Sequence, residues 1–352
     1  DHKGCCMIIK FLLFLLIFSV IVVVHEGGHC IIGKVNGIGV KNFTIGFGPA
    51  LIAFERGGTK YSINLLPFGG ACIFEGDDGD ESSPASFRNA NVYARIATVF
   101  AGPLMNFVLA FVLSVFVIGS IGYDPATLAS VIEGYPAEEA GLMAGDEIVK
   151  INNKRVDIYR DITLWTLFNG GEAARVTYRR NGKLYTTMLT PRYSEEDERY
   201  LFGFRGPEEY IKANSFEVIK YSAVEVRYWL EASVKSVFML IKGQFTVKDL
   251  SGPVGVAQVV GDVYDASKGS GVFYVLINLL SLSTLLTANL GVMNLLPFPA
   301  LDGGRLIFLF IEAVTKKKPS AKVEGIINLI GMSFLVVLMV FVMYNDILKV
   351  IR

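Results

Sequence analysis

The chain has 352 residues, 52% of them hydrophobic, and its 33 Lys+Arg balance 33 Asp+Glu. Soluble domains average about 45–50% apolar residues, so the mean is only mildly raised; what departs is the clustering of apolar residues into runs, which indicates membrane spans joined to a soluble portion. The neutral balance and the lack of a basic stripe exclude a nucleic-acid partner, and Cys5, Cys6, Cys30 and Cys72 follow neither a metal-knuckle spacing nor a disulfide framework.

The first run, Met7 to Val24, is apolar apart from Lys10 and Ser19 and ends in His25-Glu26-Gly27-Gly28-His29. A bilayer span needs about 20 apolar residues, so residues 1–33 are read as a first transmembrane helix. As a cleaved leader it lacks a small-residue cleavage site, and cleavage would sever the motif. H-E-x-x-H places two histidines at i and i+4 on one helix face, where they can grip zinc, with the intervening glutamate as general base toward metal-activated water. A bare motif of this kind arises often by chance. Ionisable groups at membrane depth cost on the order of 2.5–3.5 kcal/mol each on insertion scales, so placing them there calls for a functional reason. Two of the chain's three histidines are spent here. Cys30 reads as a small apolar neighbour of the motif.

Residues 34–90 are glycine-punctuated and strand-like. Phe43–Gly48, Ala50–Phe54 and Thr59–Leu65 are short, partly alternating runs, and Pro67-Phe-Gly-Gly70 turns the chain. This predicts a small membrane-associated β-sheet on the cytoplasmic side. Gly76 to Pro84 reads as a solvated acidic loop. A second span, 91–121, carries Gly102 and Asn106 on one helix face. The small residue permits close helix approach, and the amide seeks a partner in the membrane, so both are expected to support the first span's site.

Residues 122–206 change character. Pro136-Ala-Glu-Glu-Ala-Gly-Leu-Met-Ala-Gly-Asp-Glu-Ile-Val-Lys-Ile-Asn152 resembles the signature of a PDZ domain, and Asn181-Gly182 between alternating runs predicts a hairpin. PDZ domains bind extended peptides by strand addition, so the resemblance leaves a peptide ligand open. From 207 to 268 the chain is helical, with Glu225, Arg227, Glu231 and Lys235 among apolar residues. It is read as an amphipathic, juxtamembrane segment, with an ordinary helix packed on the insert as the alternative.

Residues 269–352 hold the third and fourth spans around Asn294-Leu-Leu-Pro-Phe-Pro-Ala-Leu-Asp-Gly-Gly304. Pro297 and Pro299 cannot sustain a helix, and broken backbone at membrane depth must be buried in protein or line a cavity. Asp302 is the carboxylate this break delivers. A catalytic zinc takes three protein ligands and keeps one open position, so Asp302 joins His25 and His29 as the expected third. The fold class is thus a polytopic α-helical membrane protein of about four transmembrane helices, with a small β-sheet and an inserted extracytoplasmic α+β PDZ domain.

With H-E-x-x-H, A-G-P-x-x-N-F, the PDZ-like insert and N-x-x-P-x-P-x-L-D-G-G in this order, the chain resembles the site-2 proteases, in their bacterial sigma-regulating, PDZ-containing branch. Gly27 stands where that family carries a larger apolar residue, and one PDZ unit is present where some members have two. The resemblance implies a Zn2+-dependent intramembrane endopeptidase that cuts single-span transmembrane substrates, an anti-sigma factor or a remnant signal peptide, after another protease has trimmed them. It implies that Asn294 holds the unwound substrate backbone and that the insert screens substrates by size. Ile63, Asn64 and Leu65 are expected to offer an open strand edge to the substrate. Lys34, Lys41, Arg56, Lys60 and Arg88 follow the first span and Lys316–Lys318 precede the fourth. By the positive-inside rule these loops are cytoplasmic, which puts the site toward the cytoplasmic face of the inner membrane. The rival reading is a membrane-anchored PDZ adaptor without catalysis.

Overall fold

The computed structural model describes residues 2–77, 82–207, 209–244 and 251–351; part of the acidic loop, residues 78–81, lies outside them. The chain forms two compact units, Asp1–Leu113 with Ser236–Arg352 and Ser114–Lys235.

Among the described residues, four helices are long and apolar enough to cross a membrane: Met7–Val35, Val92–Ile121, Val272–Asn294 and Ala321–Lys349. They belong to α1 (His2–Val35), α2 (Val92–Ile121), α7 (Val272–Asn294) and α9 (Ala321–Ile351). α1 ends where Gly37 takes φ +74°, the left-handed position that closes many helices. α1 and α2 cross closely at Gly28, where a methyl group would overlap the Ala101 carbonyl. This is the small-residue contact expected of helices that gain no hydrophobic drive from lipid.

Between α1 and α2 run two long strands, β1 (Val40–Arg56) and β2 (Thr59–Phe74). Each is folded on itself, at Gly46 and Gly48 in β1 and at Gly69 in β2, all with positive φ. Phe43 consequently lies opposite both Tyr61 and Cys72, and Ile63 opposite both Ile45 and Ile52. Four segments result, in the order 50–56, 59–64, 40–45, 70–74. This corrects the reading of Ile63, Asn64 and Leu65 as part of an open edge. The strand through Ile63 and Asn64 has neighbours on both sides, and Asn64 donates to the Gly46 carbonyl at 3.3 Å. The outer strands are 50–56 and 70–74, and in the second the Phe74 N–H donates to Asp77 Oδ2 at 3.1 Å.

Beyond the sheet, Phe74 and Phe87 join Cys30, Ile38, Val99 and Leu306 in one buried cluster that ties α1, the sheet and α2 to α8 (Asp302–Thr315). α6 (Pro253–Lys268) packs on α1 and α7 through Phe14, Val260, Leu279 and Leu282. It is held at one end by an ion pair from Lys10 to Asp265. At the other, the Gly252 and Gly255 N–H groups donate to Asp346 of α9 at 2.9 and 2.8 Å. A carboxylate at that helix N-terminus satisfies otherwise orphaned donors.

The second unit is built on a four-stranded sheet in the order β5 (Lys154–Arg155), β4 (Glu147–Ile151), β6 (Ala174–Arg180), β7 (Lys183–Leu189). Asn181-Gly182 turns β6 into β7 as the sequence predicts. The core is Leu128, Ile148, Ile151, Trp165, Val176 and Phe202, with α4 (Tyr159–Asn169) on the sheet. Among the described residues the segment 207–268 holds two helices with different partners, α5 (Ser215–Ile241) and α6, and α5 follows the alternative reading of a helix packed on the insert. The charges of α5 face the insert rather than lipid headgroups. Glu225 pairs with Arg160, Arg227 with Asp157 and Asp161, and Glu231 with Lys154.

Candidate metal centre

α1 delivers His25 and His29 to one face because i and i+4 are neighbours on a helix. The loop after α7 delivers the carboxylate. It breaks at Pro297 and Pro299, and Asp302 opens α8. His25 Nε2 and His29 Nε2 lie 3.3 Å apart, and Asp302 Oδ2 lies 3.2 Å from the first and 3.3 Å from the second. His29 Nδ1 donates to the Thr98 carbonyl at 2.9 Å, which fixes the tautomer and leaves a bare lone pair on Nε2. His25 Nδ1 lies 3.1 Å from the amide of Asn106. Asp302 Oδ2 is buried and receives no hydrogen bond.

Two imidazole nitrogens and an unsatisfied carboxylate oxygen therefore converge on one point. With no proton to share between them they would repel; with a cation they are complementary. A two-nitrogen, one-oxygen set is a donor set of catalytic zinc. The residues fit the ion. Gly102 backs the pair of rings so closely that a methyl group there would overlap His29 Nε2. Gly27, by contrast, has open space where a side chain would sit.

Glu26 is half-buried on the same helix, turned toward strand 70–74. Its Cγ lies beside Gly70, and the Cys72 N–H bonds its carboxylate. Sequence reasoning missed this contact, although Pro-Phe-Gly-Gly marks the place where a side chain is left out. It also missed the Thr98 carbonyl, which as a backbone group has no sequence signature. Asn294 ends α7 and is half-buried. Beside Asp302 a cavity of about 750 Å³ opens, walled by Arg95, Glu312, Arg305, Asp77 and Asn328. Arg95 and Glu312 are 5% and 8% exposed and form a two-pronged ion pair, with Nη1 to Oε2 at 3.1 Å.

The profile of peptidase family M50 matches residues 13–338. This chain belongs to peptidase family M50. A provisionally named zinc metalloprotease of Clostridium acetobutylicum is 35% identical over 333 residues, covering 95% of this chain and 96% of its own. The zinc metalloprotease RasP of Bacillus licheniformis is 30% identical over 419 residues, covering 95% and 97%. The PDZ domain of an SdrC-like protein of Listeria monocytogenes overlaps 24% of the chain at 19% identity and a TM-score of 0.22, a likeness too slight to bear on the fold. As an M50 member the chain is a zinc metalloprotease of the site-2 protease type. Within that family, its four apolar helices suit a membrane-embedded enzyme.

Proposed function

We propose that this enzyme cuts single-span transmembrane proteins inside the inner membrane, after another protease has trimmed them, at a zinc ion held by His25, His29 and Asp302. The observation that carries the reading is the convergence of three lone-pair atoms beside Glu26 at the end of an apolar helix. Bound zinc would supply a Lewis acid that lowers the pKa of a water toward about 7 and polarises the scissile carbonyl. Glu26 would take a proton from water at the site and hand it to the leaving amine. Thr98 and Asn106 hold the imidazoles in register for this. The charged cavity beside Asp302 would admit water to the site.

A helical substrate must unwind before its amide can be attacked. The edge that would receive the unwound strand is 70–74, which lies against Glu26, rather than the flanked strand through Ile63 and Asn64. Main-chain pairing at such an edge fixes a carbonyl with little sequence preference. Asn294, at the end of α7, would hold the same backbone from the opposite side. The positive charge after the first apolar helix and before the fourth orients the site toward the cytoplasm and the insert outside. There the insert would screen substrates by size, so that only trimmed chains enter. The adaptor reading is disfavoured, because an adaptor has no need of a buried carboxylate oxygen left without a donor.

Glu26→Gln tests the assignment. It should keep stoichiometric zinc yet lose cleavage of a single-span model substrate by at least about 100-fold, the lower range for general-base loss. Comparison of membrane fragments from cells with and without this variant identifies the substrate. Wild-type cleavage by Glu26→Gln overturns the role.

A further inference from the structure

Helix α9 supplies no atom to the metal centre. It touches the rest of the unit along one stripe, with Gly331, Val342 and Asp346 buried and neighbours such as Leu329 and Val337 exposed. The N-terminal part of that helix meets the loop that carries Asp302, residue by residue. Ala300 is held at φ +74°, a left-handed conformation that an L-residue keeps only where its surroundings impose it. Its N–H donates to Asn328 Oδ1 at 3.3 Å. One turn further, a Cβ on Gly331 would lie 2.5 Å from Pro299 Cβ and 2.6 Å from the Pro299 carbonyl oxygen. One more turn brings the Phe334 ring to 5.6 Å from that of Phe298. Three consecutive loop residues thus each meet one of three α9 residues spaced by one turn. On its other side the loop rests on Gly303 and Gly304, where methyl groups would overlap the carbonyls of Leu296 and Phe298.

We propose that α9 fixes the third metal ligand: Asn328 and Gly331 clamp Pro299 and Ala300, and so set where Asp302 stands relative to His25 and His29. The inference rests on the reading of Asp302 as a ligand. Metal–ligand distances tolerate only about 0.2 Å of error. Leu301 alone separates Ala300 from Asp302, so slack at the clamp appears directly at Oδ2. Both are positioning residues. Neither touches substrate or metal.

The test uses the full-length protein as Asn328→Ala, Asn328→Asp, Gly331→Leu, Asp302→Ala and, as a control on the exposed side of α9, Val337→Leu. The readouts are zinc affinity against a chromophoric chelator, the visible spectrum of the cobalt-substituted protein, and kcat apart from KM. Asn328→Ala and Gly331→Leu should weaken zinc binding about 10–100-fold, the usual effect of groups that orient ligands. They should also alter the cobalt spectrum and lower kcat with KM unchanged. Asn328→Asp, which keeps an acceptor for the Ala300 N–H, should restore most of the affinity, and Val337→Leu should match the wild type. If Gly331→Leu does not fold, Asn328→Ala decides. Wild-type zinc affinity and cobalt spectrum in folded Asn328→Ala overturn the clamp. Wild-type affinity in Asp302→Ala overturns the ligand reading itself, whereas loss in Asp302→Ala alone overturns the clamp and leaves the ligand standing.

Discussion

The amide of Asn106 lies 3.1 Å from Nδ1 of His25, with both side chains buried. The amide oxygen has no partner as oriented. Oxygen and nitrogen of an amide are assigned from the network around them, and here the network prefers the reverse. With Oδ1 facing His25, the Nδ1–H has an acceptor and Nε2 is left bare for a metal, as the Thr98 carbonyl already arranges for His29. Asn106→Leu, similar in size but without an acceptor, should therefore lower zinc affinity about 10–100-fold. Asn106→Asp should retain it. Equal zinc retention by the wild type and Asn106→Leu in a chelator titration would show that the amide does not set the His25 tautomer.

Gly70 is the point where strand 70–74 and Glu26 meet. A Cβ there would lie 2.9 Å from Val22 Cγ1 and the Thr44 carbonyl oxygen and 3.1 Å from Glu26 Cγ. Gly70→Val should push Glu26 out of line and obstruct the edge, cutting cleavage of a single-span substrate more than about tenfold while zinc content stays at the wild-type level, since no ligand contacts Gly70. Parallel loss of zinc would mean that the substitution disturbs α1 as a whole.

The Arg95–Glu312 pair is buried between α2 and α8. Removing one partner of such a pair strands a charge and typically costs about 3–5 kcal/mol, whereas replacing both with apolar residues of similar volume is often neutral or stabilising. Glu312→Ala alone should lower the unfolding midpoint in detergent, and Arg95→Met with Glu312→Leu should recover most of that loss. A double variant as unstable as the single one would show that the pair does more than satisfy its own charges.

In the insert, burial pushes the Asp146 carboxyl up, but the Arg180 guanidinium at 2.6–2.7 Å and the Met143 N–H at 2.9 Å outweigh it and hold the group below its ordinary range. A carboxylate with a depressed folded pKa stabilises fully above its unfolded value of about 3.9. That stability is lost as pH falls through the folded value. Thermal melts of the insert should therefore be flat near neutrality and drop below about pH 4. Asp146→Asn should lower the neutral-pH midpoint and flatten the acid limb, and an unchanged acid limb would assign it to other carboxylates.

Read alone, the sequence determined the chemistry and its setting. Residue type and local spacing suffice for that: i,i+4 histidines with a glutamate between them share a helix face, a run of apolar residues has a fixed length against a bilayer, and two prolines must break a helix. Asp302 was reachable because a catalytic zinc needs a third donor and the broken segment holds a carboxylate. What only the tertiary structure decided depends on groups far apart in the chain or lacking side-chain identity. The Thr98 carbonyl on His29 is backbone. The flanking of Ile63 and Asn64, which leaves 50–56 and 70–74 as the outer strands, follows from folding two strands on themselves. Alternation marks a strand but not its neighbours. The charges of α5 left a membrane-surface helix and a helix packed on the insert unseparated, because their partners, Lys154, Asp157, Arg160 and Asp161, lie about 65–80 residues earlier. The meeting of α9 with the Asp302 loop likewise depends on one left-handed alanine and one missing methyl group, neither of which carries a hydrophobic period or a motif.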